Sequence, residues 1–552
     1  MKLRRIAAAL VIVSLGAAGF TFAAVRGQMA DCRITEKTIV GDAAAAAGLT
    51  ASFGMGLQNQ LYWKNVYTYG GADDGADVQE TAFSRKNPFP ADKKAPVPSV
   101  RLTGYMTTSS TLDFLLTDPA EGDPTRQKLL AQVRREFFAE GASERVQEIK
   151  QTLSANGEQT QDLKLKDLFH YYPIEGELTG TSVWAASLDN AVFASKNSAK
   201  LWQDINRFLR IPIPETESSG FSVGKYPDGS LNFNYYQGKE NCSQQEDHFD
   251  FCSIACSTPE AVYFTFDPHS YRGELVDTSM IPGGYGLYRL PYDSAEKVFL
   301  PEKLEMVYPL DPTRDYVSIH SSPDGQKLLL TSRAWQFGDT KKSSRYEDAD
   351  SEPVTKFDRE RRLTAEVMNL ATMTCEKSLD VLQSRYEIQC RDAGVYLVFS
   401  DAVSKLCVIA YQDGSYRKTL DLADLAMASR PDENLPCYGY LKQMAYDGER
   451  LVLAGHSYVK ADSVQESWDW SPQSDAELAV YDRRGLAYFG RLTDNLQDYT
   501  EEQGFVQWAE ALKIKLPAAR YPYRYGTPES ALNVMTWPTD IKVTIGDSSA
   551  AA

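Results

Sequence analysis

Histidine is scarce in this chain, five among 552 residues, and most linear signatures of acid–base chemistry are missing with it. There is no His-Glu-x-x-His helix, so the usual mark of a zinc protease is absent. No glycine-rich loop follows a strand and opens a helix, which leaves no mark of a nucleotide phosphate site. The acidic stretches Asp73–Asp77 and Arg345–Glu352 lack the twelve-residue spacing and terminal glutamate of an EF-hand loop and read as solvated charge. Basic residues are in deficit too, 58 Lys and Arg against 75 Asp and Glu. A surface of that sign repels phosphate backbones, so nucleic acid is not an expected partner. No catalytic, cofactor-binding or metal-ligating residue is assigned on these grounds.

What is present begins at the N-terminus. Lys2, Arg4 and Arg5 precede an uncharged, largely apolar run from Ile6 to Val25, closed by Arg26. Twenty such residues rise about 30 Å as a helix, the thickness of a bilayer core. The basic flank stays in the cytoplasm and directs everything after Arg26 outward. Two readings are open: an uncleaved single-pass anchor, or a secretory signal cut after Thr21-Phe22-Ala23 and releasing a secreted chain. Asp31 spoils a lipobox at Cys32. As an anchor, the segment leaves five residues inside, too few for a signalling domain. The expected organisation is a stub and membrane segment at 1–26 and an extracytoplasmic domain at 27–552.

All eight cysteines, Cys32, Cys242, Cys252, Cys256, Cys375, Cys390, Cys407 and Cys437, fall on the outward side. An oxidising compartment permits disulfides, and eight cysteines allow 105 connectivities. Cys375–Cys390 and Cys407–Cys437 are candidate loop staples. The stretch Cys242–Cys256 holds three cysteines and His248 within fifteen residues. Its spacing is not that of paired zinc knuckles, and a disulfide-stapled loop is the preferred reading.

Most of the remaining chain alternates short apolar runs with Asp-Gly or Asp-x-Gly turns. Asp324-Gly325 leads into Leu328–Ser332, Asp447-Gly448 into Leu451–Gly455, Asp392-Ala393-Gly394 into Val395–Phe399, and Asp228-Gly229 into Leu231–Phe233. Asp-Gly supplies the positive φ of a tight hairpin, and an apolar run without alternation predicts a strand covered on both faces. Ser182–Ser187, Ala191–Ala194, Ala261–Phe266 and Ala476–Tyr481 are further expected strands. Centres near 192, 263, 330, 397 and 453 recur at an interval somewhat above the roughly 40–50 residues of a four-stranded propeller unit. The Ser-Pro-Asp-Gly-Gln-Lys-Leu-Leu-Leu stretch at 322–330 and its echoes resemble the superfamily of bacterial extracytoplasmic propellers, TolB-like and WD40-like, over about residues 180–490. No Trp-Asp signature recurs at unit ends. The resemblance implies an all-β propeller of about six or seven blades that binds proteins or ligands on one face; it transfers no site.

Helical insertions interrupt the pattern. Asp123-Pro124 opens one at about 123–154, split at Gly141, with Leu129, Leu130, Val133, Phe137, Val146, Ile149 and Leu153 at helical spacing. Leu201, Trp202, Ile205, Phe208 and Leu209 form a second apolar face, and Phe505, Trp508, Ala509 and Leu512 a third. These faces are expected to pack on the sheets. Tyr521–Tyr525 and Trp468–Trp470 are aromatic clusters in turn-rich sequence, suited to inter-sheet filling or to recognition of protein or sugar. His320 beside Ser321 and Ser322, and His456 beside Ser457, are adjacencies that chance explains. The strand Ile541–Ile545 is expected to close the array on a partner from Ala51–Val66. The function expected from all this is a membrane-tethered binding or scaffold module with a protein or envelope-carbohydrate partner. Its alternatives are a propeller enzyme acting on envelope carbohydrate or peptide, and a purely structural envelope protein.

Overall fold

The computed structural model describes most of residues 33–494 and the stretch 536–546. Residues 1–32, 495–535 and 547–552 lie outside the description, as do short internal stretches, among them 118–123, 190–195, 237–246, 344–354, 426–434 and 461–469. The N-terminal apolar run, the strand expected at Ala191–Ala194, the helix expected near Phe505 and both aromatic clusters therefore fall largely or wholly outside it. Among the described residues no helix is long and apolar enough to cross a membrane.

The described residues form seven antiparallel sheets, taken in rough chain order with II and III interleaved. Sheet I holds Leu49–Leu57, Leu61–Thr68 and Val78–Ser84; sheet II holds Ser99–Gly104, Ile174–Thr179 and Ala185–Ala186. Sheet III joins Gln161–Lys164, Gly220–Lys225 and Leu231–Tyr236, and sheet IV is built on Ser253–Ser257, Ala261–Phe266, Gly286–Asp293 and Glu305–Pro309. The main strands of sheet V are Arg314–Ser321, Lys327–Ala334, Thr355–Asn369 and Thr374–Tyr386. Sheet VI contains Gln389–Asp392, Tyr396–Ser400, Leu406–Gln412 and Ser415–Leu422. Sheet VII contains Leu441–Tyr446, Leu451–Lys460, Trp470–Asp482 and Gly485–Asp494.

The turns work as their composition demands. Gly229, Gly325, Gly394 and Gly448 all have positive φ, from 66° to 99°, a conformation that glycine adopts at no steric cost. Each turn aspartate also accepts from the backbone two residues on: Asp228 from Ser230 N at 2.9 Å, Asp324 from Gln326 N at 3.1 Å, Asp392 from Gly394 N at 2.6 Å and Asp447 from Glu449 N at 2.9 Å. The aspartate shapes the turn and the glycine closes it.

The strands that lack alternation are buried on both faces. All six residues of Ala261–Phe266 and all five of Tyr396–Ser400 are buried. They pack into cores shared by successive sheets. Leu329, Val367, Phe399 and Ile409 join V to VI; Val398, Val408, Leu451 and Leu453 join VI to VII. Val452, Leu478, Phe53 and Val543 join VII to I. Sheets II, III and IV and one face of V share a larger core with the helices.

The two ends of the described chain cross. Ile34–Gly41 adds itself to sheet VII, pairing with Gly485–Asp494, while Thr536–Ile545 completes sheet I against Leu49–Leu57 with Ala51 opposite Val543. Closure on the Ala51 region is thus realised. Ile541 and Val543 are 1% and 2% exposed, and each such side chain contributes about 1.5–3 kcal/mol on burial. Polar bonds tie the first sheet to the last: Trp63 Nε1 and Asn65 Nδ2 donate to Asp494 Oδ2 at 3.0 and 2.5 Å, and the Tyr69 and Tyr488 hydroxyls meet at 2.9 Å. Successive antiparallel sheets packed face on face, with terminal strands exchanged between first and last, define a propeller-type fold.

The helices pack inward. α1 (Ser109–Thr117), α2 (Pro124–Phe137), α3 (Ala142–Thr152) and α4 (Lys196–Phe208) contribute Leu112, Leu130, Val133, Val146, Ile149, Trp202 and Ile205 to the larger core. Gly141, φ 77°, separates α2 from α3. Of the expected strand at Ser182–Ser187, the described residues include a strand at Ala185–Ala186, while 183–184 lie outside the description.

The expected cysteine staples are not formed. Cys252, Cys256, Cys375, Cys390, Cys407 and Cys437 are all free thiols, whereas Cys32 and Cys242 lie outside the described residues. Cys407 points into the core between V and VI, and Cys437 into the core between VI and VII, so sheet VI stands between them. Cys375 is exposed on the last strand of sheet V, while Cys390 lies on the first strand of sheet VI. Burial pushes the Cys407 and Cys437 thiols well above the ordinary thiol range.

Candidate functional sites

Two places gather groups beyond what packing needs. The first is a cleft of about 830 Å³ between the Pro212–Ser218 turn after α4, the 247–249 segment and the long connection from Ala261–Phe266 to Gly286–Asp293. Its floor is fixed by Glu217, 3% exposed. Glu217 Oε1 accepts from Ser219 N at 2.9 Å and Ser219 Oγ at 2.6 Å; Oε2 accepts from Phe249 N at 3.1 Å and from the Tyr172 hydroxyl. Four donors from three segments satisfy a carboxylate that would otherwise be costly to bury. The long connection is held against this floor. Arg272 N donates to Asp247 Oδ1 at 2.9 Å, Tyr271 N donates to the His248 carbonyl at 2.7 Å, and the Tyr271 ring stacks on His248 at 5.0 Å. The same connection leaves three large apolar side chains outside: Tyr271, Leu275 and Met280 are 52%, 51% and 44% exposed. Glu215, Glu274 and Asp277 bring carboxylates to the cleft, with Lys164 and Arg272 as its cations.

The second place lies where the first strands of sheets V and VI meet. His320 Nε2 is 2.9 Å from Ser318 Oγ, and His320 Nδ1 is 2.9 Å from Asp392 Oδ2. Ser318 Oγ also meets Thr331 Oγ1 at 2.7 Å. Burial pushes the Asp392 carboxyl upward, but the hydrogen bond and charge of His320, with the Gly394 amide, outweigh it and hold the group below the ordinary carboxylate range. Nearby Tyr416, 1% exposed, carries a hydroxyl with no hydrogen-bond partner and interacts electrostatically with Asp392 and Cys256.

The sequence-marked residues distribute unevenly over these places. His248 stands at the cleft, with Nδ1 buried and without a hydrogen bond. Cys252 is exposed, and Cys256 lies on Ser253–Ser257 opposite Tyr263. Among the described residues no three His, Cys, Asp or Glu side chains converge as metal ligands. His320 does find a serine and an aspartate, but the serine is Ser318; Ser321 Oγ turns away to the Ser257 carbonyl at 3.1 Å. His456 is buried within Leu451–Lys460, opposite Ala476. Glu217, Ser318, Thr331 and Tyr416 were not marked. Thr331 ends an apolar run, Leu328–Leu330; Glu217 and Tyr416 sit among polar and charged neighbours and carry no such signal.

The topology makes the chain a propeller-type β protein. No family model matches it, and no curated protein does. Among solved structures it is similar to an oligogalacturonate lyase in complex with manganese, 12% identical, covering 48% of this chain and 57% of that one at a TM-score of 0.19. It is also similar to the acylaminoacyl peptidase of Pyrococcus horikoshii, 12% identical, over 50% of this chain and 36% of that one at 0.21. The β-propeller domain of Cps50 (Swd1) from Myceliophteria thermophila is 8% identical over 50% of this chain and 84% of its own, at 0.20. The matched part is thus little more than half of the lyase and about a third of the peptidase, and no chemistry passes from them to this chain.

Proposed function

We propose that the chain is a membrane-tethered, extracytoplasmic propeller that binds a protein partner through the cleft beside the long connection of sheet IV. The observation that carries this reading is the connection at the cleft: Leu275 lines the cleft half exposed, and Tyr271 and Met280 stand exposed on the same segment, which is held to Asp247 and His248 beside the Glu217 floor. Exposed apolar contact area over a rigid, fully hydrogen-bonded floor is what a protein-binding site presents. Carboxylates at Glu215, Glu274 and Asp277 favour a partner segment that mixes basic and apolar side chains. The outward location rests on Lys2, Arg4, Arg5 and the run that follows.

The test is a pull-down from native membranes with the exported domain, wild type against Leu275→Asp and Tyr271→Ser. Wild type should retain a partner that both variants lose while melting as wild type does. Equal recovery by all three overturns the cleft as the binding site. The tether is tested separately by N-terminal sequencing of the native protein. A membrane-bound chain retaining Lys2–Arg5 supports it, and a free chain starting at Ala24 replaces it with secretion.

A further inference from the structure

We propose that Ser318, His320 and Asp392 form a nucleophilic relay that hydrolyses short acyl esters. The inference is independent of the cleft and of the tether. Its basis is order and tautomer. An ionised carboxylate only accepts, so Asp392 requires the proton of the imidazole to sit on Nδ1. That leaves the lone pair of Nε2 facing Ser318 Oγ at 2.9 Å, in line to take its proton. Thr331 Oγ1, 2.7 Å from Ser318 Oγ, can donate to that oxygen once its own proton points to His320. The strand carries a bulge between Tyr316 and Ser318 in its pairing with Lys327–Ala334, a device that re-aims side chains next to functional sites. The group is reachable: the His320 and Asp392 side chains are 12% and 44% exposed, and Ser318 is half-buried. Tyr416 adds a buried hydroxyl without a hydrogen-bond partner that interacts electrostatically with Asp392, a group costly to leave unsatisfied and suited to respond to added negative charge.

The step balances without a further reagent. Ser318 Oγ attacks the acyl carbon as Nε2 takes its proton, the ester C–O bond breaks, and the imidazolium returns that proton to the departing alcohol. Water then attacks the acyl-Ser318 carbon while giving a proton to Nε2, and Ser318 leaves and recovers it. The net change is ester plus water to acid plus alcohol. The Phe399 ring, 6.3 Å from the His320 ring, offers a short acyl group an apolar neighbour.

The experiment treats the full chain in detergent or nanodiscs with a fluorophosphonate probe and, in parallel, with p-nitrophenyl acetate. Peptide mapping should place one phosphonate adduct on Ser318. Ser318→Ala should abolish both the adduct and the turnover, and Asp392→Asn should lower turnover by about 100-fold or more, since it forces the wrong tautomer. Tyr416→Phe should lower turnover while keeping the adduct. Thermal melts of the variants matching wild type confirm that folding is intact. An unlabelled Ser318 in the folded wild-type chain, or ester turnover surviving in Ser318→Ala, overturns the proposal.

Discussion

At the scale of single residues, parity along a strand decides which side chains meet. Successive residues of a strand face opposite ways, whereas i and i+2 share a face. Sequence adjacency therefore pairs His320 with Ser321, which the fold sends to Ser257, and overlooks Ser318, which lies on the same face. Asp392, 72 residues further on, is invisible to any linear pattern because sheet packing alone brings it near. Glu217 is hidden for the same reason, since its donors come from 172, 219 and 249. Replacing Glu217 by Leu strands those four donors, at about 1–3 kcal/mol for each one left unsatisfied. Urea unfolding should therefore show a loss of several kcal/mol, and a midpoint within error of wild type would contradict the assignment. The thiols give a second residue-level prediction. In the native chain iodoacetamide should label the exposed Cys252 and Cys375, while Cys407 and Cys437 react only after unfolding without reductant. If Cys407 and Cys437 stay unlabelled in denaturant until reductant is added, they are disulfide-bonded and the placement of sheet VI between them is wrong.

At the scale of elements, local chemistry was the legible part. The Asp-Gly turns, the doubly buried strands and the α2–α3 break at Gly141 follow from φ preference and from apolar runs, properties carried by a few consecutive residues. Closure by Ile541–Ile545 was legible because its alternating β-branched pattern is that of a strand needing a partner face. The count of sheets was less legible, because sheets II and III interleave in sequence and are interrupted by α1, α2 and α3. Removing residues after Pro538 takes away Ile541 and Val543 and leaves Ala51 and Phe53 of sheet I uncovered on that edge. Calorimetry should show the melting temperature falling by several degrees. Val543→Asp, which buries an unpaired charge, should do the same without shortening the chain. An unchanged melt in both would mean that this strand contributes nothing to closure.

At the scale of the molecule, the turn aspartates act together in acid. Asp228, Asp277, Asp311 and Asp324 are held below the ordinary carboxylate range, first by a neighbouring Ser or Thr hydroxyl and then by backbone amides. Asp447 is pushed up by burial but brought below that range by the Arg450 and Glu449 amides and the Arg450 side chain. Each therefore binds its proton at higher pH in the unfolded chain than in the folded one. Their stabilisation is complete above the unfolded carboxylate pKa of about 4 and is lost as pH falls through the lower folded values. The urea midpoint should be level from about pH 5 to pH 7 and drop toward pH 3; a midpoint unchanged at pH 3 would contradict the linkage.

The exchange of end strands sets when the molecule can be finished. Ile34–Gly41 leaves the ribosome early, yet its partner strand follows about 450 residues later, with Thr493 Oγ1 reaching the Thr35 carbonyl across 458 positions. Until then sheet I lacks Thr536–Ile545 and Ile34–Gly41 lacks the sheet VII strand it pairs with, so both present unpaired edges. Pairings of such long separation are slow to form, and open edges are templates for the wrong partner. Completion of the molecule therefore comes late, and the half-made chain depends until then on whatever shields its edges.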